Sequence, residues 1–252
     1  MRSAAIIAAQ TLREQWKNRF LQLLLIFGGA LVYAALLLGA MAMEQEHRVL
    51  VNFGAGLIEL AGLAAVVVGA AYAVLRDMEN KTIYLILSRP VSRGAYIAGK
   101  YAGLLLAAAA AMACMAAMHI LLLKMRGADA GAGYWAVIFS SWLKAAVAGA
   151  LTMLVSLIST SSLSALLMSC IFWTLGHFTG ELQYLSSRLA GPAAFAVKPI
   201  LWIIPDLSLL NLRDSLAAGA PHAPWSVMLG YSVLYAAVCL GLSCALFSRK
   251  EF

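Results

Sequence analysis

Six apolar runs, each long enough to cross a lipid bilayer as a helix, dominate the 252-residue sequence. A spanning helix needs about 20 consecutive apolar residues. The runs occupy residues 20–43, 53–75, 96–123, 134–158, 162–182 and 225–247. Hydrophobic residues make up 63% of the chain and charged residues 12%, too apolar a balance for a water-soluble surface. The ten-residue alternation of a membrane barrel is absent. We therefore predict an all-α membrane protein with six transmembrane helices.

Membrane topology explains the formal charge of +7, because the basic residues are dispersed at the ends of the runs. They form no stripe interleaved with aromatic residues, so we expect no nucleic-acid partner. With the N-terminus inside, the cytoplasmic segments carry more Lys and Arg than the outer segments, as the positive-inside rule requires. Both termini are therefore predicted to be cytoplasmic. The first run exceeds the roughly 7 to 15 apolar residues of a signal peptide, so a retained span is expected.

Residues 1–19 are predicted to form an amphipathic helix at the cytoplasmic interface. Ala5, Ala9, Leu12 and Trp16 recur at spacings of three and four, with polar residues on the other side. The alternative is that this stretch is the frayed cytoplasmic start of a long first span.

The longest charged interruption in the first half of the chain follows the second run. Its basic excess indicates a cytoplasmic loop. Because Pro90 prevents continuation, we predict a short helix from about Met78 to Leu87, and Ser92 is expected to cap the next helix. Such a helix, within residues 76–95, could be moved by a cytoplasmic partner. The alternative is an ordinary basic loop that fixes orientation and contacts lipid.

The region 183–224 is interrupted by five prolines. Its apolar part also contains Lys198 and Asp206, so it is unsuited to an unbroken span. We predict broken or re-entrant helices that dip into, or lie on, the outer face. The alternative is a seventh span, which would place the C-terminus outside.

Glu59 and Lys144 are the ionisable residues deepest in the predicted spans. Each lies about ten residues from the outer end of its span, so at about 1.5 Å per residue their depths are comparable. Intramembrane charges normally face a partner or a cavity. The two could form a salt bridge that locks the second span to the fourth, or they could contact a substrate along a pathway.

No catalytic group, metal site or cofactor site is predicted on this chain. Residues 94–100 spell GxxxxGK, but Tyr101 replaces the Ser or Thr that would meet Mg²⁺, and no strand precedes the motif. The four histidines share no i, i+4 face, so they make a poor metal site. Ser164 and Ser169 with His177 lack a nucleophile-elbow sequence, and serines in spans usually bond to backbone carbonyls.

The loop after the second run carries the most specific motif. Glu79, Thr82, Leu85, Leu87, Pro90, Val91, Ser92 and Arg93 resemble the ExGTxxxLLxxPVSR signature of the permease subunits of type-2 ABC exporters. Lys81 stands where that family often has glycine. The later IIPDLSLLNLRD, at residues 203–214, resembles the outer segment of the branch that includes the permease for nitrous oxide reductase maturation. The resemblance covers nearly the whole chain and names no substrate.

That resemblance implies a homodimer of permeases on two separate ATPase subunits, in a bacterial inner membrane. The loop helix would be a coupling helix seated in a groove of each ATPase. The residues expected to contact the ATPase are Glu79, Thr82, Ile83, Leu85, Leu87, Arg89, Pro90, Ser92 and Arg93. ATP and Mg²⁺ would bind in the ATPase and not in this chain.

A single permease domain over residues 1–252 is therefore expected. Its parts are the interfacial helix (1–19), spans one and two (20–75), the coupling helix (76–95), spans three to five (96–182), the outer re-entrant segment (183–224), and span six with its tail (225–252). Export driven by ATP is the leading function. The alternative is a conformational transmitter that moves no substrate and acts on an extracytoplasmic partner bound at 183–224. An intramembrane enzyme is disfavoured because no paired catalytic groups are visible.

Overall fold

The structure is a computed structural model of the chain. It describes residues 2–19, 22, 24–26, 28–30, 33, 46–80, 92–127, 129–131, 133–188, 203–219 and 221–249. Every regular element among these residues is helical, as the sequence predicts. The helices are α1 (Arg2–Lys17), α2 (Glu46–Ala73), α3 (Leu75–Glu79), α4 (Arg93–Met125), α5 (Tyr134–Ile158), α6 (Ser162–His177), α7 (Thr179–Arg188), α8 (Leu212–Ala218) and α9 (Trp225–Arg249).

Four stretches of the described chain are long and apolar enough to cross a membrane as helices. They are Arg48–Glu79, Arg93–Met125, Tyr134–Ile158 and Trp225–Arg249. These correspond to the second, third, fourth and last of the six predicted spans. The described residues of the first predicted span, 20–43, are helical, but most of that span lies outside the described residues. The fifth run forms a shorter apolar helix, α6.

Helix α5 lies at the centre of the bundle and contacts α2, α4, α6, α8 and α9. Small residues permit this close packing, since Ala145 and Ala150 are fully buried. At Gly149, an added Cβ would lie 2.3 Å from the Cγ1 of Val66 on α2, so the two backbones approach closely. Helix α2 runs antiparallel to α4 and parallel to α5. One end of the bundle, the loop end, therefore holds the end of α3 and the start of α4, and the opposite end holds the starts of α2 and α5.

Helix α1 packs along the first turns of α4. Two glycines on α4 allow the contact, because a Cβ at Gly99 or Gly103 would lie within 2.8 Å of a carbonyl oxygen of α1. Thr11 is buried in this interface, whereas Trp16, on the apolar face expected from the sequence, is 47% exposed. Helix α1 therefore uses one face for α4 and leaves its apolar stripe outward, available to a surface such as lipid.

The helix that contains α2 continues past a break at Val74 into the single turn of α3. Asn80 then ends the helix, and its N–H bonds to the carbonyl of Arg76 at 2.9 Å. Of the predicted helix from about Met78 to Leu87, the structure describes Met78 and Glu79, which lie in the last turn of α3, and Asn80, which follows that turn. Residues 81–91 lie outside the described residues.

The fifth predicted span, 162–182, is not one continuous helix, because the helix breaks after His177. The N–H of Phe178 closes the final turn of α6, and α7 begins at Thr179. The hydroxyl of Thr179 bonds to the Gly176 carbonyl at 3.2 Å and to the Asp206 carboxylate at 2.6 Å. A later segment of the chain therefore competes for the polar groups that a continuous helix would use internally.

Within the region 183–224, the described residues 203–219 are broken, as the prolines predict. They form a short 3₁₀ turn, Ser208–Leu210, and the seven-residue helix α8. Leu207 and Leu210 are fully buried, and the N–H of Leu207 bonds to the Gly176 carbonyl at 3.0 Å. This segment therefore inserts its apolar residues between the longer helices. No helix of spanning length occurs in the described part of this region, and residues 189–202, which the seventh-span alternative would include, lie outside it.

Candidate functional site

Glu59 on α2 and Lys144 on α5 form an ion pair inside the bundle. Lys144 Nζ donates to Glu59 Oε1 at 2.6 Å, and the Ser141 hydroxyl donates to Glu59 Oε2 at 3.2 Å. The Lys144 side chain is 1% exposed and that of Glu59 is 10% exposed. Removing a charge from water is costly unless the charge is paired and hydrogen-bonded. Each side chain therefore supplies the opposite charge that burial of the other requires.

The pair belongs to a larger group, which we call the buried ion cluster: Glu59, Lys144, Asn211, Arg213 and Asp214. Lys144 Nζ also donates to Asn211 Oδ1 at 3.0 Å. Arg213 Nη1 lies 3.6 Å from Glu59 Oε2, and Arg213 Nε donates to Asp214 Oδ1 at 2.9 Å. Two cations thus face two carboxylates. The cluster joins the segment 203–219 to α2 and α5.

Asp214 lies at the more exposed edge of the buried ion cluster, with a side chain 53% exposed. Burial alone would raise the pKa of its carboxyl group. The hydrogen bonds that it accepts from Arg213 and Asn211 outweigh burial and hold the pKa below its usual range. Asp214 is therefore negatively charged at neutral pH and orients the Arg213 guanidinium.

The sequence indicated Glu59 and Lys144, and the structure brings them together. Asn211, Arg213 and Asp214 were not identified as site residues, although they lie in the motif at residues 203–214. A signal was present, since the motif places Arg213 and Asp214 directly after an apolar run. Sequence spacing could not reveal the contact, because 67 residues separate Asn211 from Lys144.

A second polar group lies at the loop end, and we call it the loop-end cluster: Glu14, Asp77, Tyr96 and Lys100. Lys100 Nζ lies 2.9 Å from Asp77 Oδ2 and 3.4 Å from Glu14 Oε2. The Tyr96 hydroxyl donates to Asp77 Oδ2 at 2.6 Å. One lysine, with a side chain 8% exposed, therefore ties α1 and α3 to the start of α4.

Arg93, the first residue of α4, reaches the other end of the chain at the loop end. Its Nη1 donates to the carbonyls of Phe247 at 2.9 Å and Ser248 at 2.7 Å. The Phe247 ring stacks on Tyr96 with 5.5 Å between ring centroids. Because the last carbonyls of a helix lack partners within it, a guanidinium there satisfies them and complements the helix dipole.

Three of the predicted coupling residues are described, and all three flank the loop. Glu79 ends α3, Ser92 caps α4 by accepting from the Ala95 N–H at 3.2 Å, and Arg93 binds the end of α9. Ser92 thus caps the helix as its sequence position predicted. The remaining coupling residues lie outside the described residues: Thr82, Ile83, Leu85, Leu87, Arg89 and Pro90.

The GxxxxGK sequence lies in the first turns of α4, where Lys100 pairs with carboxylates. His119 is buried, and its Nδ1 lies 2.7 Å from the Tyr134 hydroxyl. Within the described ranges, no group of three or more His, Cys, Asp or Glu side chains is arranged to hold a metal ion. The Ser169 hydroxyl donates to the Ala165 carbonyl at 2.7 Å, as expected for a serine inside an apolar helix.

Comparison with known proteins adds one family assignment to this geometry. The family model described as ABC-2 family transporter protein matches residues 4–252. The match covers both polar clusters and all of the helices that connect them. No curated protein matches the chain.

Proposed function

The chain belongs to the ABC-2 family of transporter proteins, and from that premise we propose that it couples ATP hydrolysis by separate ATPase subunits to substrate export. Membership makes it a multi-pass permease subunit of an ABC transporter, without catalytic chemistry of its own. We propose a homodimer with two ATPase subunits, in a bacterial inner membrane, with both termini and the loop end in the cytoplasm. The ATPase subunits would bind ATP and Mg²⁺.

The observation that carries the coupling proposal is how the loop between α3 and α4 is attached. On one side of residues 81–91, Asp77 bonds to Tyr96 and Lys100. On the other side, Arg93 bonds to the end of α9. A displacement of the loop would therefore reach α1, α4 and α9 through polar contacts, and α2 through its continuation into α3. Coupling of this kind requires an element whose contacts differ between two states of the partner.

The coupling proposal is tested with tagged full-length chain purified from its native membrane in mild detergent. We expect an ABC ATPase to copurify in equal subunit ratio. Charge reversal Arg89→Glu, in the loop, should abolish this association. The matched variant Arg126→Glu reverses an exposed arginine at the opposite end of the bundle and should leave it intact. If both variants retain the ATPase equally, residues 76–95 are an ordinary basic loop that fixes orientation in the membrane.

A second function is favoured by the contact between Asn211 and Lys144. The broken segment is tied to the core of the bundle, so movement of the helices would also move the surface of region 183–224. In this alternative the chain moves no substrate and acts on an extracytoplasmic partner. A photoreactive residue at Gln183, which is exposed, should then crosslink one outer protein in a nucleotide-dependent way. Export instead predicts an open path between two protomers and no such crosslink.

A further inference from the structure

Two clefts open at the opposite end of the bundle, on either side of Arg213. Their volumes are about 330 and 680 Å³. Both are lined by Arg48 and Asn52 of α2 and by Arg213 of α8. The smaller cleft is otherwise mostly apolar, and its walls include Val51, Ala55, Val137 and Leu216. Two guanidinium groups therefore border a cleft whose walls are mostly apolar.

This combination discriminates between classes of ligand. An anionic head group would gain charge-assisted hydrogen bonds from the two guanidinium groups. An apolar chain attached to it would bury surface against the cleft walls. A wholly polar anion would gain nothing from the walls, and a wholly apolar molecule would desolvate the arginines without compensation. The Asp214 carboxylate lines only the larger cleft and would repel an anion there, so the head group is best accommodated where the two arginines border the smaller cleft.

Arg213 is placed so that it can exchange partners. Its guanidinium packs against α2, since a Cβ at Gly56 would lie 2.3 Å from Nη1. Its 3.6 Å separation from Glu59 exceeds hydrogen-bond length, whereas Lys144 holds the same carboxylate at 2.6 Å. If Arg213 turns towards a ligand, Glu59 keeps Lys144 and Ser141 as partners. The exchange therefore leaves no buried charge unpaired.

We propose that these clefts bind an amphiphilic anion, a phosphate or carboxylate head group on an apolar chain, with Arg48 and Arg213 on the head group. The inference names a substrate class for the export path, and in that respect it rests on the proposed function. The same chemistry is offered by an anionic membrane lipid and by a free single-chain amphiphile.

Binding is measured on the full-length protein in nanodiscs of zwitterionic phosphatidylcholine, by the shift in unfolding temperature. The probes are dodecyl phosphate, inorganic phosphate and uncharged dodecyl maltoside. We expect dodecyl phosphate to reach half-saturation at a concentration at least about tenfold below that of inorganic phosphate, with no shift from dodecyl maltoside. Equal responses to all three probes, or none to dodecyl phosphate, would overturn the proposal.

Variants locate the binding site. Arg213→Gln and Arg48→Gln should each weaken dodecyl phosphate binding about tenfold, because each removes a charge-assisted contact. Arg126→Gln changes an arginine at the same end that lines neither cleft, and binding should be unchanged. Arg48 lies outside the buried ion cluster, so Arg48→Gln remains informative if Arg213→Gln does not fold. If folded Arg48→Gln binds dodecyl phosphate with wild-type affinity, the proposed location of the binding site is wrong.

Nanodiscs that contain phosphatidylglycerol show whether the ligand is an anionic membrane lipid or a free single-chain amphiphile. If the bilayer lipid occupies the site, dodecyl phosphate should no longer shift the unfolding temperature. If a free amphiphile is the ligand, the shift should persist. Binding requires no ATPase, so an assembly that binds dodecyl phosphate without coupled ATP hydrolysis contradicts only the proposed function. A coupled assembly that binds none contradicts only this inference.

Discussion

Arg93 donates through one nitrogen, Nη1, to the carbonyls of Phe247 and Ser248, at 2.9 and 2.7 Å, although more than 150 residues separate them. The first residue after the loop thereby holds the last turn of the last described helix. The contact assigns Arg93 a role inside the permease, whereas the family resemblance suggested a role at the ATPase surface. The two roles are compatible, because α9 would move with the loop.

Replacing Arg93 with alanine should loosen the end of α9 and weaken coupling to the ATPase. Hydrogen bonds from charged groups are worth about 1.5–3 kcal/mol when well shielded, and solvent screening at this half-exposed site will reduce that. We expect faster amide hydrogen exchange in the last turn of α9. Arg93→Lys, which keeps the positive charge, should have a smaller effect. Unchanged exchange in Arg93→Ala would show that the contact does not hold the helix end.

Removing Glu59 should destabilise the bundle more than removing Lys144. Glu59→Gln removes the carboxylate that binds Lys144 and leaves its ammonium group in the same cluster as the Arg213 guanidinium. Breaking a buried pair in this way costs about 3–5 kcal/mol. Lys144→Met leaves Glu59 with Arg213 and Ser141, so the loss should be smaller. The double variant should recover part of the difference. Unfolding in detergent micelles measures these effects.

A matched control for this series is Lys124→Met, because Lys124 is exposed at the end of α4. We expect no loss of stability from it. If Lys144→Met assembles normally but changes substrate preference, the pair contributes to the transport path. If it fails to assemble, the pair serves as a lock between α2 and α5.

Gly103→Ala should displace α1 from α4. The new Cβ would lie 2.6 Å from the carbonyl oxygen of Ala8, a backbone atom that cannot move aside without shifting the helix. Overpacking of this kind typically costs about 1–3 kcal/mol. Gly241→Ala is the matched control, since nothing lies within 4 Å of its added Cβ. Equal unfolding temperatures for the two variants would contradict close packing of α1.

Acid should weaken the attachment of α8. The folded-state pKa of Asp214 lies below its ordinary value, so its charged form contributes stability that is fully present above the unfolded pKa of about 3.9. That contribution is lost as the pH falls through the lowered folded pKa. Asp214→Asn should abolish this part of the pH dependence between about pH 5 and the acid limit. If the stability of Asp214→Asn falls with pH as that of the wild type does, other titratable groups cause the acid dependence.

Much of the bundle was predictable, because hydrophobic length alone determines where a chain can cross a bilayer. Four of the predicted runs correspond to helices of spanning length. The break after His177 was not predicted, because apolar composition does not reveal competition for backbone groups. Thr179 and Gly176 bond to residues about 30 positions away, and such contacts exist only once the segments have packed.

The residues of the two polar clusters differ in how far the sequence alone could identify them. Glu59 and Lys144 are conspicuous because an ionised residue is rare in an apolar run. Arg213 is inconspicuous in the sequence because it lies in a segment where charge is unremarkable. Arg93 was selected for its motif, yet the motif could not reveal that its side chain reaches the far end of the chain.

The separation of Glu59 and Lys144 by 85 positions along the chain also bears on biosynthesis. A nascent chain that stops before α5 carries a carboxylate in an apolar helix without its ammonium partner. Entry of α2 into lipid is then unfavourable until α5 has been translated. We expect photocrosslinks from Leu60 to the insertion channel to persist until that point, so that electrostatics, rather than hydrophobic length, times the release of α2 into the membrane.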